Sequence, residues 1–256
     1  MAECIHGFDD GLCDTCFPKA PPERPAAARP ASRSVAGSAP RREARATTAP
    51  RKVSAPPPNL LDQRVYHVTH VSNLVRILEA GLVAPALAMP EVDVSSALTR
   101  ELRETAIVTG GGSVAEYVPF HLAADSTTWL ELRGGAAQPR WSAGARAASS
   151  TDFVFLVSTV RAVSTQPADV AVSDGDASAT LTRFATGDAV VGMLSRLHGS
   201  TQAVEAELLV HQSVPMDAVQ LIGVANDPVR DRVRDLLETA GRRTKVAVYP
   251  PWFIES

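Results

Sequence analysis

Every cysteine of the chain falls within its first sixteen residues, as Cys4-x-His6 and Cys13-x-x-Cys16. Three thiolates and one imidazole form one of the closed tetrahedral ligand sets of structural zinc, and a filled set leaves no open position for catalysis. Gly7 and Gly11 would let the backbone turn between the two halves. The alternative is a reduced tail whose cysteines are incidental; their clustering favours metal over a disulfide framework. The other residues with chemical reach are scattered. His67 lies in RVYHVT, Arg103 in ELRE, and Glu205 and Glu207 flank Ala206 ahead of LLVH. Taken singly, each has a plain reading. A Glu alternating with Leu on a strand sits on a solvated face, and Glu205, two residues from Glu207, would share that face. Arg103, among charged neighbours, reads as helix surface, and His121, His198 and His211 read as structural or surface residues.

The elements that must position these groups begin near Leu60. RVYHVT alternates apolar and polar residues and predicts a strand over 64–69. Ser72 then reads as the N-cap of a helix over NLVRILEA, closed by Gly81. Further strands are expected at 117–122, 152–160, 169–173, 206–211, 219–224 and 245–249, from β-branched and aromatic runs. Helices are expected at 189–197 and from Asp227-Pro228 to Ala240, with Asp227 as N-cap, Pro228 at N1 and Gly241 as stop. The class is α+β.

Hydrophobic content is 45% of 256 residues, enough for a sizeable core. No apolar stretch is long enough to span a bilayer, and the N-terminus lacks a secretory signal, so a cytoplasmic location without membrane association is expected. The net charge of −3 conceals an asymmetry. Residues 19–58 carry nine Lys or Arg against two Glu, a net of +7, whereas residues 1–18 carry four acids and no Lys or Arg. That leaves −6 for residues 59–256. The Pro, Ala, Arg and Ser composition of 19–58 offers little to bury and predicts a disordered basic linker. Three parts follow: a zinc-knuckle-like element at 1–18, the linker at 19–58, and a globular domain at 59–256.

Five segments of that domain, in order, resemble the DarT family of toxins that ADP-ribosylate thymidine in single-stranded DNA. YHVTHVSNLVRILEAGLV (66–83) is similar to the family's YHITHxxNLxxILxxGxL, and LTRELRETAIV (98–108) to its VTRELR. SVAEYVPFHLAADS (113–126) is similar to DYVPFYFxxRSPM, SDGDASATLTRF (173–184) to the segment before its flexible loop, and EAELLVHQSVP (205–215) to QAEFLVxxxVP. The resemblance covers about 62–249. It implies an ADP-ribosyltransferase fold, two small β-sheets with flanking helices and an NAD⁺ cleft between them. It implies Glu207 and Arg103 as the catalytic pair. His67, Val68, Thr69, Asn73, Arg76, Ala84 and Arg103 would meet the cofactor, and residues from about Leu87 to Thr105 would form the loop covering it. The resemblance further implies single-stranded DNA as substrate and a macrodomain antitoxin, DarG-like, as partner.

The chemistry fits those residue types. Breaking the bond between nicotinamide and ribose develops positive charge on the sugar, which a neighbouring carboxylate stabilises. The same carboxylate could accept a proton from the nucleophile. Arg suits the pyrophosphate or the target base because its planar fork is permanently charged. Two departures bear on the acceptor. Asp125-Ser126-Thr127-Thr128 stands where the family has RSPM, and Glu205-Ala206-Glu207 where it has QAE. Both add negative charge, which repels phosphate. Another nucleic acid or a protein therefore stays open as acceptor beside thymidine, as does a non-catalytic, zinc-containing nucleic-acid-binding module.

Overall fold

The computed structural model describes residues 59–135, 139–164 and 169–254. The Cys4, His6, Cys13 and Cys16 set and the basic segment lie outside the described residues.

Among the described residues, ten strands and seven helices alternate irregularly. Strand β1 (Arg64–His70), helix α1 (Leu74–Ala80) and the short β2 (Leu82–Val83) open the domain. Helix α2 (Ala97–Thr105), β3 (Tyr117–His121), α3 (Thr127–Arg133) and α4 (Ala143–Ala147) follow. Next come β4 (Phe153–Thr159), α5 (Val160–Val163), β5 (Val170–Ser173) and β6 (Phe184–Thr186). The chain ends through α6 (Ala189–Leu197), β7 (Glu207–His211), β8 (Ser213–Val214), β9 (Leu221–Val224), α7 (Asp227–Thr239) and β10 (Lys245–Val248).

The α+β class holds, but the two sheets are unequal. One has eight strands in the order β10-β9-β4-β1-β3-β7-β5-β6, and the other is the β2-β8 pair. The large sheet consists of two four-stranded halves fused at a narrow seam. Strand β1 pairs with β4 along its full length, from Arg64↔Thr159 to His70↔Phe153. With β3 it shares only Tyr66↔His121. Beyond that pair β1 and β3 diverge, and the site is built around the divergence. The near-continuous apolar run of β4, buried at Phe153–Ser158, lets this strand serve as the spine of its half.

One apolar cluster, including Leu74, Phe120, Leu156 and Leu208, lies under α1, α6 and α7. A second, aromatic cluster gathers Trp129, Trp141, Phe153, Phe155 and Phe253. The C-terminal Trp252 lies against Gly223, where an added Cβ would stand 2.6 Å from the ring, so only glycine admits the indole over β9.

Two expected caps move by small amounts. Helix α1 begins at Leu74 after a 3₁₀ turn over Val71–Asn73, and Ser72 does not cap it; instead the Ser72 amide donates to Nδ1 of His70 at 3.3 Å. Helix α7 is capped by Asn226, whose Oδ1 accepts from the Val229 amide at 3.0 Å, placing Asp227 one position inside the helix. Gly81 closes α1 as expected, at φ 81°, and a Cβ there would meet the Val214 carbonyl at 2.5 Å.

Candidate active site

Glu207 is the first residue of β7 and is 4% exposed, so the reading of it as a solvated strand residue fails. Its Oε1 accepts from Nη1 of Arg103 at 3.2 Å and from the Ala177 amide at 3.1 Å, and its Oε2 accepts from Nη2 of Arg103 at 3.0 Å. The pair is a two-pronged guanidinium–carboxylate bridge, buried from both sides. The Glu207 backbone amide donates to Oγ of Ser173 at 3.0 Å, and that hydroxyl donates to the Gly175 carbonyl at 2.6 Å. The turn after β5 is thereby tied to the carboxylate.

Arg103 comes from the last turn of α2. The segment expected as a covering loop from Leu87 to Thr105 is therefore irregular only up to Ser96 and helical from Ala97. Ser96 caps that helix by accepting from the Thr99 amide at 3.1 Å. A rigid helix end fixes the guanidinium better than a loop would, and a cation there complements the helix dipole. Glu205, expected on the same strand face as Glu207, instead closes a 3₁₀ turn outside the strand and is exposed.

A cavity of about 530 Å³ opens beside this pair, within the range of pockets that hold small molecules and cofactors. Of the residues the resemblance assigns to the cofactor, His67, Val68, Thr69, Asn73 and Arg103 line it. Arg76 and Ala84 do not. Arg76 donates to the Met89 carbonyl at 3.1 Å on the outside of the covering segment. Ala84 is fully buried, and its amide donates to the Gln212 carbonyl at 2.7 Å.

His67 stands where β1 and β3 part. Its Nδ1 bonds the Pro119 carbonyl at 2.8 Å, so Nδ1 carries the proton and Nε2 keeps a lone pair. Burial is the main reason its pKa falls to about 4; Arg103 and His121 lower it further against the opposing Pro119 bond. At neutral pH this ring is an uncharged acceptor suited to a ribose hydroxyl. Asn73 has less freedom. Its Oδ1 accepts from the Val92 amide at 2.9 Å, and its Nδ2 donates to the Val92 carbonyl at 2.8 Å and to Oγ1 of Thr69 at 3.0 Å. Both amide protons are committed, so this side chain holds the covering segment to the end of β1.

The lining also includes polar and aromatic residues not expected at the site, among them His121, Arg140, Trp141 and Asp176. His121, read from sequence as structural, lies directly across from Glu207 in the β3–β7 register. Burial holds its pKa below the ordinary histidine value, with Glu207 pulling the other way. Asp176 bonds Ser178 and pairs with Arg140 at 3.3 Å. Burial alone would raise its pKa, but these partners and Arg103 leave it net lowered, as a carboxylate. SDGDAS is the sequence cue for Asp176; nothing in the local pattern marks Arg140 or Trp141. Ser126 N-caps α3 by accepting from the Trp129 amide at 3.3 Å. Thr127 then stands at the helix's first position, where proline is also favoured, so the loss of the family's Pro leaves the helix start intact. His198 is exposed and His211 is half-buried against Tyr117, within the structural-or-surface expectation for both.

Comparison with known proteins bears on the fold and the family. Residues 66–254 match the family model described as "DarT: ssDNA thymidine ADP-ribosyltransferase". A curated relative from Mycobacterium tuberculosis, a DNA ADP-ribosyl transferase, is 26% identical over 209 residues, covering 74% of this chain and 88% of the relative. The structure of Thermus sp. 2.9 DarT in complex with ADP-ribosylated ssDNA superposes with a TM-score of 0.63 at 22% identity, over 75% of this chain and 97% of that one. The same protein in complex with NAD⁺ gives 0.61 at 23% identity, over 75% and 98%. Thermosipho africanus DarTG in complex with ADP-ribose gives 0.59 at 17% identity, over 75% of this chain and 51% of that one. With its model matched across most of the globular part, from β1 to the C-terminal aromatic turn, this chain belongs to the DarT family of single-stranded-DNA thymidine ADP-ribosyltransferases.

Proposed function

We propose that the chain transfers ADP-ribose from NAD⁺ to thymidine in single-stranded DNA, with release of nicotinamide. The observation that carries the residue assignment is the buried Arg103–Glu207 bridge at the wall of the cavity, within a chain of the DarT family. Glu207 stabilises the positive charge that develops on the ribose as nicotinamide leaves. Arg103 orients Glu207 and supplies fixed positive charge toward pyrophosphate or base. His67, Val68 and Thr69 meet the nicotinamide riboside half. Labelled NAD⁺ and thymidine-containing oligonucleotides test this: label should pass to the oligonucleotide, and absence of transfer to any oligonucleotide despite NAD⁺ binding would remove the DNA acceptor.

A second reading has a specific observation behind it. Asp125 and Glu205 are both exposed, and both add charge that repels phosphate. Under this reading the acceptor is a protein, and the label would appear on protein in lysate and survive nuclease. We further propose that residues 19–58 supply the cationic contact to DNA, that Cys4, His6, Cys13 and Cys16 hold a structural zinc, and that a macrodomain antitoxin reverses the modification. Zinc content that is unchanged on deletion of residues 1–18 would remove the metal assignment.

A further inference from the structure

The cavity holds two imidazoles, and their surroundings differ. His67, from β1, faces Arg103 and His121; both disfavour a positive charge on it. His121, from the end of β3, faces Glu207 on β7 and Asp176 after β5, which favour the imidazolium, against Arg103 on α2. Directly opposed residues of an antiparallel pair lie on one face of the sheet with Cβ atoms about 5 Å apart, so the His121 ring stands beside the Glu207 carboxylate. Its Nδ1 is enclosed and has no hydrogen-bond partner among the described residues, and Nε2 reaches the cavity; the form that accepts a proton there is the tautomer with hydrogen on Nδ1.

The other groups are committed. Glu207 already accepts three hydrogen bonds, two of them from a guanidinium that has no lone pair to offer. An imide N–H of a nucleobase must nevertheless lose its proton as the nitrogen attacks. His121 stands where the YVPFYF pattern quoted above has Tyr, a side chain without a basic nitrogen.

We propose that His121 is the general base that takes the proton from the attacking nitrogen of the acceptor base. The proposal rests on nucleobase transfer as the activity. The N–H bond of the imide breaks and its proton passes to Nε2 of His121. The electron pair left on nitrogen forms the bond to the ribose carbon of NAD⁺. The bond from that carbon to nicotinamide breaks, and its electrons leave with nicotinamide. The imidazolium, stabilised meanwhile by Glu207 and Asp176, returns its proton to water.

The test uses the full chain in single-turnover transfer to a thymidine oligonucleotide and to the same oligonucleotide carrying 5-bromouracil, a near-isostere with a more acidic imide. His121→Gln should slow thymidine transfer by about 100-fold or more, the scale of a lost general base. NAD⁺ affinity should stay within about twofold, as for a group acting in the transition state only. The penalty should shrink at least about tenfold on 5-bromouracil, because an acidic imide needs less help. The wild-type rate should rise with pH through an ionisation below the ordinary histidine value that the variant lacks. His121→Asn is the second variant, with melting temperature and NAD⁺ affinity as checks on folding. An unchanged rate in a folded variant, an equal penalty on both bases, or a loss matched by lost NAD⁺ affinity overturns the role. If the wild type modifies no oligonucleotide, the underlying activity fails and the proposal with it; wild-type transfer that is insensitive to His121 removes the proposal alone.

Discussion

Glu207 and Arg103 are bound to one another tightly enough that activity and stability cannot be separated by truncating either one. Removing one member of a buried ion pair leaves the other charge uncompensated, at a cost of about 3–5 kcal/mol. Glu207→Ala is therefore expected to melt well below the wild type. The double variant Arg103→Met with Glu207→Leu should recover much of that loss, because no buried charge remains. Chemical denaturation of the single and double variants measures the coupling; additive losses would mean that the pair is not coupled in solution. Glu207→Gln keeps the shape and one acceptor oxygen, so it is the cleaner catalytic variant. It should reduce transfer by about 10²-fold or more, as the loss of one preorganised electrostatic group does.

The sequence said little about this pair from local pattern alone. AELLV reads as a half-exposed strand and ELRE as a helix surface, because both residues become buried only through contacts more than a hundred positions apart. The ordered resemblance identified them. His121 was passed over for a similar reason, since its relation to Glu207 exists only in the strand register.

At the scale of elements, the strands were legible and the covering segment was not. Seven of the expected strands appear within a residue or two of their expected bounds, because each carries its own β-branched or aromatic run. The short β2, β6 and β8 carry no such run. At α2 the residues and the resemblance pointed different ways, ELRE to a helix surface and Leu87–Thr105 to a covering loop, because ALTRELRET buries none of its residues. A polar latch ties down the stretch ahead of it: two hydrogen bonds between Asn73 and Val92, with a third from Asn73 to Thr69 at the end of β1. Asn73→Ala should cost about 1–3 kcal/mol through unsatisfied buried partners. Its effect on activity should appear mainly in KM for NAD⁺ with little change in kcat, and hydrogen exchange at the Val92 amide should rise. An unchanged Val92 amide would show that the segment is held by other contacts.

For the whole molecule, the proposed division of labour gives the contact with an anionic polymer to the basic segment at 19–58 and the NAD⁺ chemistry to the acidic domain. Deleting residues 1–58 should lower the affinity for single-stranded DNA and flatten its dependence on salt, while leaving NAD⁺ affinity unchanged. Equal salt slopes with and without the segment would place the phosphate contacts on the domain itself.

Stability should also depend on pH through the buried imidazoles. A histidine whose folded pKa lies below its unfolded value binds its proton more weakly in the native state. Stability from His67 is then fully present above about 6.5 and is lost as pH falls toward about 4. The melting temperature should drop across that window, and His67→Asn should flatten the drop.

Mass spectrometry of a thymidine-containing oligonucleotide after incubation with NAD⁺ tests the central claim most directly, since it reports activity, acceptor and modified base together. The wild type should add one ADP-ribose to a thymidine, and Glu207→Gln should add none in the same time. An oligonucleotide of unchanged mass, with NAD⁺ still bound or consumed, would contradict it.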